Sequence, residues 1–374
     1  MDQRLRLNFP GVSHVGPGTI DALGEEAAGL GSRALLVTGR RALRAAGITG
    51  WLTALLETAG VAVEPFEQAP PEPDVGTVDA ARRTLRERAC DLVVEAGGGS
   101  AIDVGKAAAA LAFEDALTAE FHAGRAIGQP GLPHIAVATT AGTGAEVTCN
   151  SVLTDPAGRL KKSIRGDGLM PTVSITDPDL TLSCPPEVTA GAGMDALVQA
   201  VESFLSVHAI PTTEALSLGA VRLIVEHLPA AYEDGRDRRA RAAVSEGSYM
   251  AGLALGSARL GAVHGLAHPL GLYSGLPHGV VCAALMPAVL RLNAPAAAGK
   301  WPALQWAMRA DPHQVVSGLL DRLALPRTLG DYPDQAWESA IMDYALTSGS
   351  SRANPEPVDE DYVRGVLEEV CPRP

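Results

Sequence analysis

DLVVEAGGGSAIDVGK, residues Asp91–Lys106, decides the fold of this chain. Its first half is a short apolar run with β-branched residues, the pattern of a strand buried on both faces. The run breaks at three consecutive glycines and resumes as an Ala-rich segment of helical character. A strand that turns through glycines directly into a helix belongs to an α/β unit. Glycines let the backbone approach a ligand closely, and the N–H groups at a helix start favour a phosphate. Gly98, Gly99 and Ser100 are therefore candidate cofactor contacts. Asp103, one turn into the helix, either hydrogen-bonds the cofactor or complements the helix N-terminus. The loop is neither GxGxxG nor a Walker sequence, so a tight β–α turn without a ligand is its plainer meaning.

Similar strands lie on either side: RALLVTG (Arg33–Gly39), VAVEPF (Val61–Phe66) and HIAVATT (His134–Thr140), with helical segments between several of them. That alternation predicts a parallel sheet. After the last strand, TTAGTGAEVT sets the hydroxyls of Thr139, Thr140 and Thr143 beside two glycines at a strand's C-terminal end, where open α/β sheets gather their ligands. Pro171 to Asp179 reads as a turn-rich crossing. Beyond it the sequence is Ala/Leu-periodic, which predicts a helical domain, so we expect an α/β domain over 1–178 and a helical domain over 179–374. The stretch from Ser348 to Pro357 reads as a mobile loop.

Charge and composition narrow the class. A chain of 374 residues with 47% hydrophobic residues can bury the cores of two domains. A formal net charge of -13 gives no basis for binding nucleic acid. No apolar run reaches membrane-spanning length and no leader pattern opens the chain, so a cytoplasmic protein without membrane association is expected. The five cysteines lack CxxC spacing and read as reduced and structural.

The second informative stretch is LGAVHGLAHPLGLYSGLPHG, Leu260–Gly279. His264 and His268 are four apart and share one helix face, and His278 returns after a Gly/Pro-containing turn. One buried histidine is more often a satisfied core residue, but three in an apolar setting point to metal ligation or acid/base chemistry. Upstream, GAGMDALVQAVESFLS supplies Asp195 and Gln199, again at i, i+4 spacing. Asp195, His264 and His278 are placed to close on one cation.

Taken in order, GGGSAIDVGKA, TTAGTGAEVT, GMDALVQAVES and AVHGLAHPLG with PHG resemble the successive signatures of the iron-containing, or group III, alcohol dehydrogenases, which include the related maleylacetate reductases. The resemblance spans about residues 30 to 290. It implies an N-terminal dinucleotide domain with a parallel sheet and an all-α C-terminal domain, the dehydroquinate synthase-like architecture. It also implies a divalent metal, Fe²⁺ or Zn²⁺, held by one Asp and three His. The matching positions here are Asp195, Gln199, His264 and His278. Gln199 departs from the family pattern, since an amide oxygen is a weaker, neutral ligand than imidazole. His268 falls where the family has a non-ligand histidine beside the nicotinamide and is the candidate proton relay. Lys162 matches a lysine near the cofactor, and Asn150 a residue of the substrate pocket wall.

Coenzyme choice turns on the end of the first strand, where NAD-preferring relatives often place an Asp against the ribose 2′-OH. This chain has Gly39 followed by Arg40 and Arg41. The missing carboxylate and the adjacent guanidinium favour NADP, with NAD possible. Two arginines on an exposed helix start are the plain alternative. The expected activity is NAD(P)H-dependent interconversion of a small aldehyde or ketone and its alcohol, metal-assisted, in a homodimer. The alternatives are metal-free, maleylacetate reductase-like reduction of an activated C=C bond and a non-catalytic nucleotide-binding protein.

Overall fold

The computed structural model describes residues 7–158 and 160–373. They form two compact units: Asn8–Thr140 with Gly144–Ser183, and Cys184 onward with Ala141–Thr143.

The first unit carries β1 (Val12–Val15), β2 (Arg33–Gly39), β3 (Ala62–Ala69), β4 (Leu92–Gly97), β5 (His134–Ala138), β6 (Asn150–Asp155), β7 (Leu160–Arg165) and β8 (Val173–Thr176). Six of them make one sheet in the order β1-β8-β5-β4-β2-β3, and every pairing in it is parallel. Alternation along the strands sorts two cores. Leu35, Val37 and Val93 pack with the Val75–Glu87 and Gly99–Ala110 helices. Ala34, Leu36, Leu92 and Val94 pack with the Leu23–Leu30 and Ile48–Thr58 helices. Cover on both faces is why these strands read as continuous apolar runs. Each fully buried Leu, Val or Ile contributes about 1.5–3 kcal/mol, so stability resides in the sheet and helices, and the loops at the strand ends are left to function.

Chain order places β3 on one side of β2 and β4 on the other. The helix after β2, Ile48–Thr58, and the helix after β4, Gly99–Ala110, lie in the two opposite cores. That is a topological switch point, and the C-terminal ends of β2 and β4 flank the place where such sheets bind ligands.

Three expectations need correction. The crossing over Pro171 to Asp179 contains β8, paired with β1 and β5. Its four residues are all buried, but Ser174 and Thr176 break the apolar run that would have announced it. The antiparallel hairpin of β6 and β7, Asn150 opposite Arg165, was not expected either. Lastly, Ser348 to Pro357 is packed rather than loose. Asn354 is buried there, its Oδ1 accepts from the Ala262 N–H at 3.1 Å and from Asn293 Nδ2 at 2.8 Å, and its Nδ2 donates to the Glu356 carbonyl at 2.7 Å.

No strand follows β8 among the described residues. Helices Pro186–Leu205, Pro211–Glu233, Arg238–Ala258, Ala262–Ser274 and His278–Asn293 contribute to one core. Pro186 occupies the first turn of its helix, where a missing N–H costs nothing. From Met194 to Leu205 every residue of that helix is buried. Asp195, Gln199 and Glu202 are thus polar groups inside an apolar core, and a stable fold must give them partners. Among the described residues, no helix is long and apolar enough to cross a membrane.

Candidate functional site

The glycine loop after β4 is shaped by contacts that exclude a side chain. Gly97 has φ +155°, and a Cβ there would stand 2.7 Å from the Cβ of Ala101. A Cβ on Gly98 would meet Thr140 Oγ1 at 3.0 Å, so the loop after β4 and the loop after β5 touch. The Thr139 N–H donates to the Gly97 carbonyl at 2.9 Å. No side chain caps the Gly99–Ala110 helix, which leaves its first N–H groups, those of Gly99 and Ser100, for a ligand.

Lys106, which sequence reasoning passed over, holds these loops together. Fully buried, it donates from Nζ to the carbonyls of Ala145 (2.7 Å) and Thr148 (2.5 Å) and to Thr148 Oγ1 (3.2 Å). Burial pushes its pKa down, opposed by Asp103 and Glu95. Burial likewise pushes the Asp103 carboxyl up to about 7, against the pull of Lys106. Ser151 donates to the Asp103 carbonyl at 2.9 Å and so ties β6 to the same helix. Asn150 and Lys162 are half-buried on the hairpin, Lys162 opposite Leu153. Gly39 ends β2 opposite Ala69 of β3, and Arg40 is exposed just beyond it. Thr143 is half-buried and falls in the other unit.

In the helical unit, three helices bring side chains to one point. Asp195 and Gln199 lie one turn apart on Pro186–Leu205, and His264 and His268 one turn apart on Ala262–Ser274. Gly275, at φ +68°, ends the latter helix and lets the chain turn back, so that His278 opens the next. Asp195 Oδ1 stands 3.2 Å from His264 Nε2 and 3.8 Å from His278 Nε2. Ligand lengths of about 2.0–2.2 Å at tetrahedral angles would set such atoms about 3.3 Å apart, so these three donors fit a divalent metal. Gln199 Oε1 is buried with no hydrogen-bond partner, a deficit that a cation would relieve.

Glu202, also missed in the sequence, orients the cluster. Its Oε2 lies 2.7 Å from His264 Nδ1, and its Oε1 accepts from the Val263 N–H at 2.6 Å. A carboxylate on Nδ1 places the proton there and turns the Nε2 lone pair toward Asp195, the arrangement that metal-binding histidines use. Burial lowers the pKa of His264, but the Cys282 sulfur, Asp195 and Glu202 outweigh it and leave the ring well above the usual imidazole range. The signal for Glu202 was available: an acid at i+7 from Asp195 in an otherwise apolar helix. His268 does not join the donors. Half-buried, it stacks on the His278 ring at 5.2 Å and 15° and meets Tyr344 edge-on at 6.1 Å.

A sheet edge shaped for a dinucleotide and a buried set of carboxylate and imidazole donors together define a nucleotide-dependent oxidoreductase of the metal-binding type. The chain belongs to the iron-containing alcohol dehydrogenase family: residues 10–178 match the model of iron-containing alcohol dehydrogenase, and residues 189–371 that of the Fe-containing alcohol dehydrogenase family, C-terminal. Long-chain-alcohol dehydrogenase 1 of Geobacillus thermodenitrificans (strain NG80-2) is 35% identical over 97% of this chain and 96% of that protein. The crystal structure of a 1,3-propanediol oxidoreductase superposes with a TM-score of 0.93 at 32% identity, covering 98% of this chain and all of that one. Sulfoacetaldehyde reductase from Bifidobacterium kashiwanohense, solved with NAD+, gives a TM-score of 0.90 at 31% identity over 99% of both chains. The protein is an alcohol dehydrogenase that interconverts alcohols and carbonyl compounds with a nicotinamide cofactor. Its family binds NAD(H) and a divalent metal.

Proposed function

We propose that this enzyme reduces a small aldehyde or ketone with NADPH in preference to NADH, with a divalent metal held by Asp195, His264 and His278. The carrying observation is the convergence of these three donors with Glu202 locked onto the far side of His264. When bound, the metal polarises the substrate carbonyl while the dihydronicotinamide supplies hydride. Residues of this chain do the rest. The N–H groups at Gly99 and Ser100 bind the pyrophosphate. Gly98, Thr139, Thr140 and Thr143 shape the approach, and Asp103, Lys162 and Asn150 line the nicotinamide and substrate side. His268 donates a proton to the alkoxide oxygen as it forms. Arg40 pairs with the 2′-phosphate that the absent carboxylate at Gly39 would have repelled.

Residues 1–178 act in this reading as the dinucleotide domain and 179–374 as the metal and substrate domain, in a cytoplasmic homodimer. The edge strand β1, with Val12 and Val15 exposed, supports pairing between copies. The clustered donors favour the metal-dependent reaction over metal-free reduction of a C=C bond. The test measures NADPH and NADH oxidation with a panel of aldehydes, ketones and enones, alongside metal content and activity after chelation. Carbonyl reduction that falls with chelator and returns with metal is expected. Full activity in metal-free protein would overturn it.

A further inference from the structure

One side chain at the donor cluster has no part in the reaction described above. Cys282 lies one helical turn after His278, fully buried, with its Sγ 3.6 Å from His278 Nε2 and 3.9 Å from His264 Nε2. Asp195, His264, His278 and Cys282 each offer a ligand atom, and all four atoms lie within 4.8 Å of one another. A metal with bonds of about 2.3 Å to sulfur and 2.0–2.1 Å to nitrogen at tetrahedral angles sets sulfur and nitrogen about 3.6 Å apart. The shorter sulfur–nitrogen distance (3.6 Å) and the shorter oxygen–nitrogen distance (3.2 Å) have the length of tetrahedral edges, and the longer two, 3.9 and 3.8 Å, need only small side-chain shifts to reach it.

We infer that Cys282 is the fourth metal ligand of this chain, in the role that Gln199 is too weak to fill, and that the site is an Asp-His-His-Cys zinc centre. The inference rests on the metal-dependent reading and adds the identity of ligand and metal; four protein ligands leave the substrate carbonyl a fifth position, to which catalytic zinc expands in the transition state. A thiolate is the softest donor among the protein groups here and favours Zn²⁺ over harder cations, whereas an amide oxygen carries no charge. With Asp195 it gives the centre two anionic donors, which balance a 2+ ion in a buried site. As the sulfur–metal bond forms, the thiol proton leaves to solvent.

The experiment is X-ray absorption at the zinc edge of the zinc-loaded full-length enzyme, paired with the optical spectrum of the Co²⁺-substituted form. One sulfur at about 2.3 Å is expected, and so is a thiolate-to-cobalt charge-transfer band in the near ultraviolet. Cys282→Ser should abolish both signals. Its zinc affinity should fall by at least the 10–100-fold that loss of an outer hydrogen-bond partner costs. Zinc bound with nitrogen and oxygen neighbours only, and no charge-transfer band, would overturn the Cys282 assignment while leaving the metal-dependent reaction intact. A wild-type protein that takes up neither metal would overturn both. The wild-type spectra decide the matter even where Cys282→Ser fails to fold.

Discussion

At the ends of β2, β4 and β5 the candidate binding groups are backbone N–H groups, threonine hydroxyls and Arg40, supplied by loops a few residues long. In the helical unit they are the side chains of Asp195, His264, His278 and Cys282, supplied by three separate helices. The first kind of site is written locally, because glycines and a helix start make it wherever they occur together. The second exists only once distant segments have packed, and its chemistry depends on which side chains meet. A loop of backbone groups tolerates substitution at any one hydroxyl, whereas a ligand set is changed by each replacement.

The sharpest break of that contrast is Asp195→Ala. Removing the carboxylate that stands 3.2 and 3.8 Å from the two imidazoles should empty the centre of metal and reduce carbonyl reduction to background. Coenzyme binding, followed by the fluorescence of NADPH, should remain as in the wild type if the sheet edge is a site in its own right. A parallel loss of NADPH binding would show that the two are one cooperative structure.

His268→Ala is next in size. A positioned acid contributes about 10²–10⁴-fold to turnover, so kcat should fall by that order while zinc content is unchanged. The stacking of His268 on His278, rather than any donor role, is what predicts the separation. Zinc lost in step with kcat would make His268 a ligand.

Glu202→Gln tests the support behind the donors. Its carboxylate holds the Nδ1 side of His264 at 2.7 Å, and loss of such a partner costs about 10–100-fold in metal affinity. Competition with a chromophoric chelator measures this directly. Unchanged affinity would reduce Glu202 to a core hydrogen-bond partner of Val263.

These residues mark how far the sequence could be read. The strands β2, β4 and β5 were legible because cover on both faces forces continuous apolar runs, β3 at the sheet edge from its β-branched residues, and the glycine loop because its turn has no substitute chemistry. β8 was hidden by Ser174 and Thr176, whose polarity is tolerated inside the sheet. Asp195, His264 and His278 were legible from helical spacing and from the improbability of three histidines in an apolar stretch. Cys282 was not, although it sits at i+4 from His278, because a lone cysteine in an apolar helix is the ordinary content of a core. Glu202 shared the helix face of Asp195 at i+7, a signal passed over because whether an acid in a helix faces solvent or a histidine is decided by what packs on it. Lys106 is the third case, a lysine whose carbonyl partners at Ala145 and Thr148 lie about 40 positions away in sequence.

The smallest effect returns to the sheet edge. Gly39 ends β2 with only ordinary contact in reach of a new Cβ, 3.8 Å from the Ala69 carbonyl, and its backbone is not in the left-handed region. Gly39→Asp should therefore fold normally. Its carboxylate would repel a 2′-phosphate and accept from a ribose 2′-OH instead. A charge-assisted hydrogen bond is worth about 1.5–3 kcal/mol, so the ratio of kcat/KM for NADPH over NADH should drop at least about tenfold. Arg40→Ala should lower the same ratio by raising KM for NADPH alone. If neither substitution moves the ratio, coenzyme choice is made elsewhere along the edge, and Arg40 is a solvated side chain at a helix start.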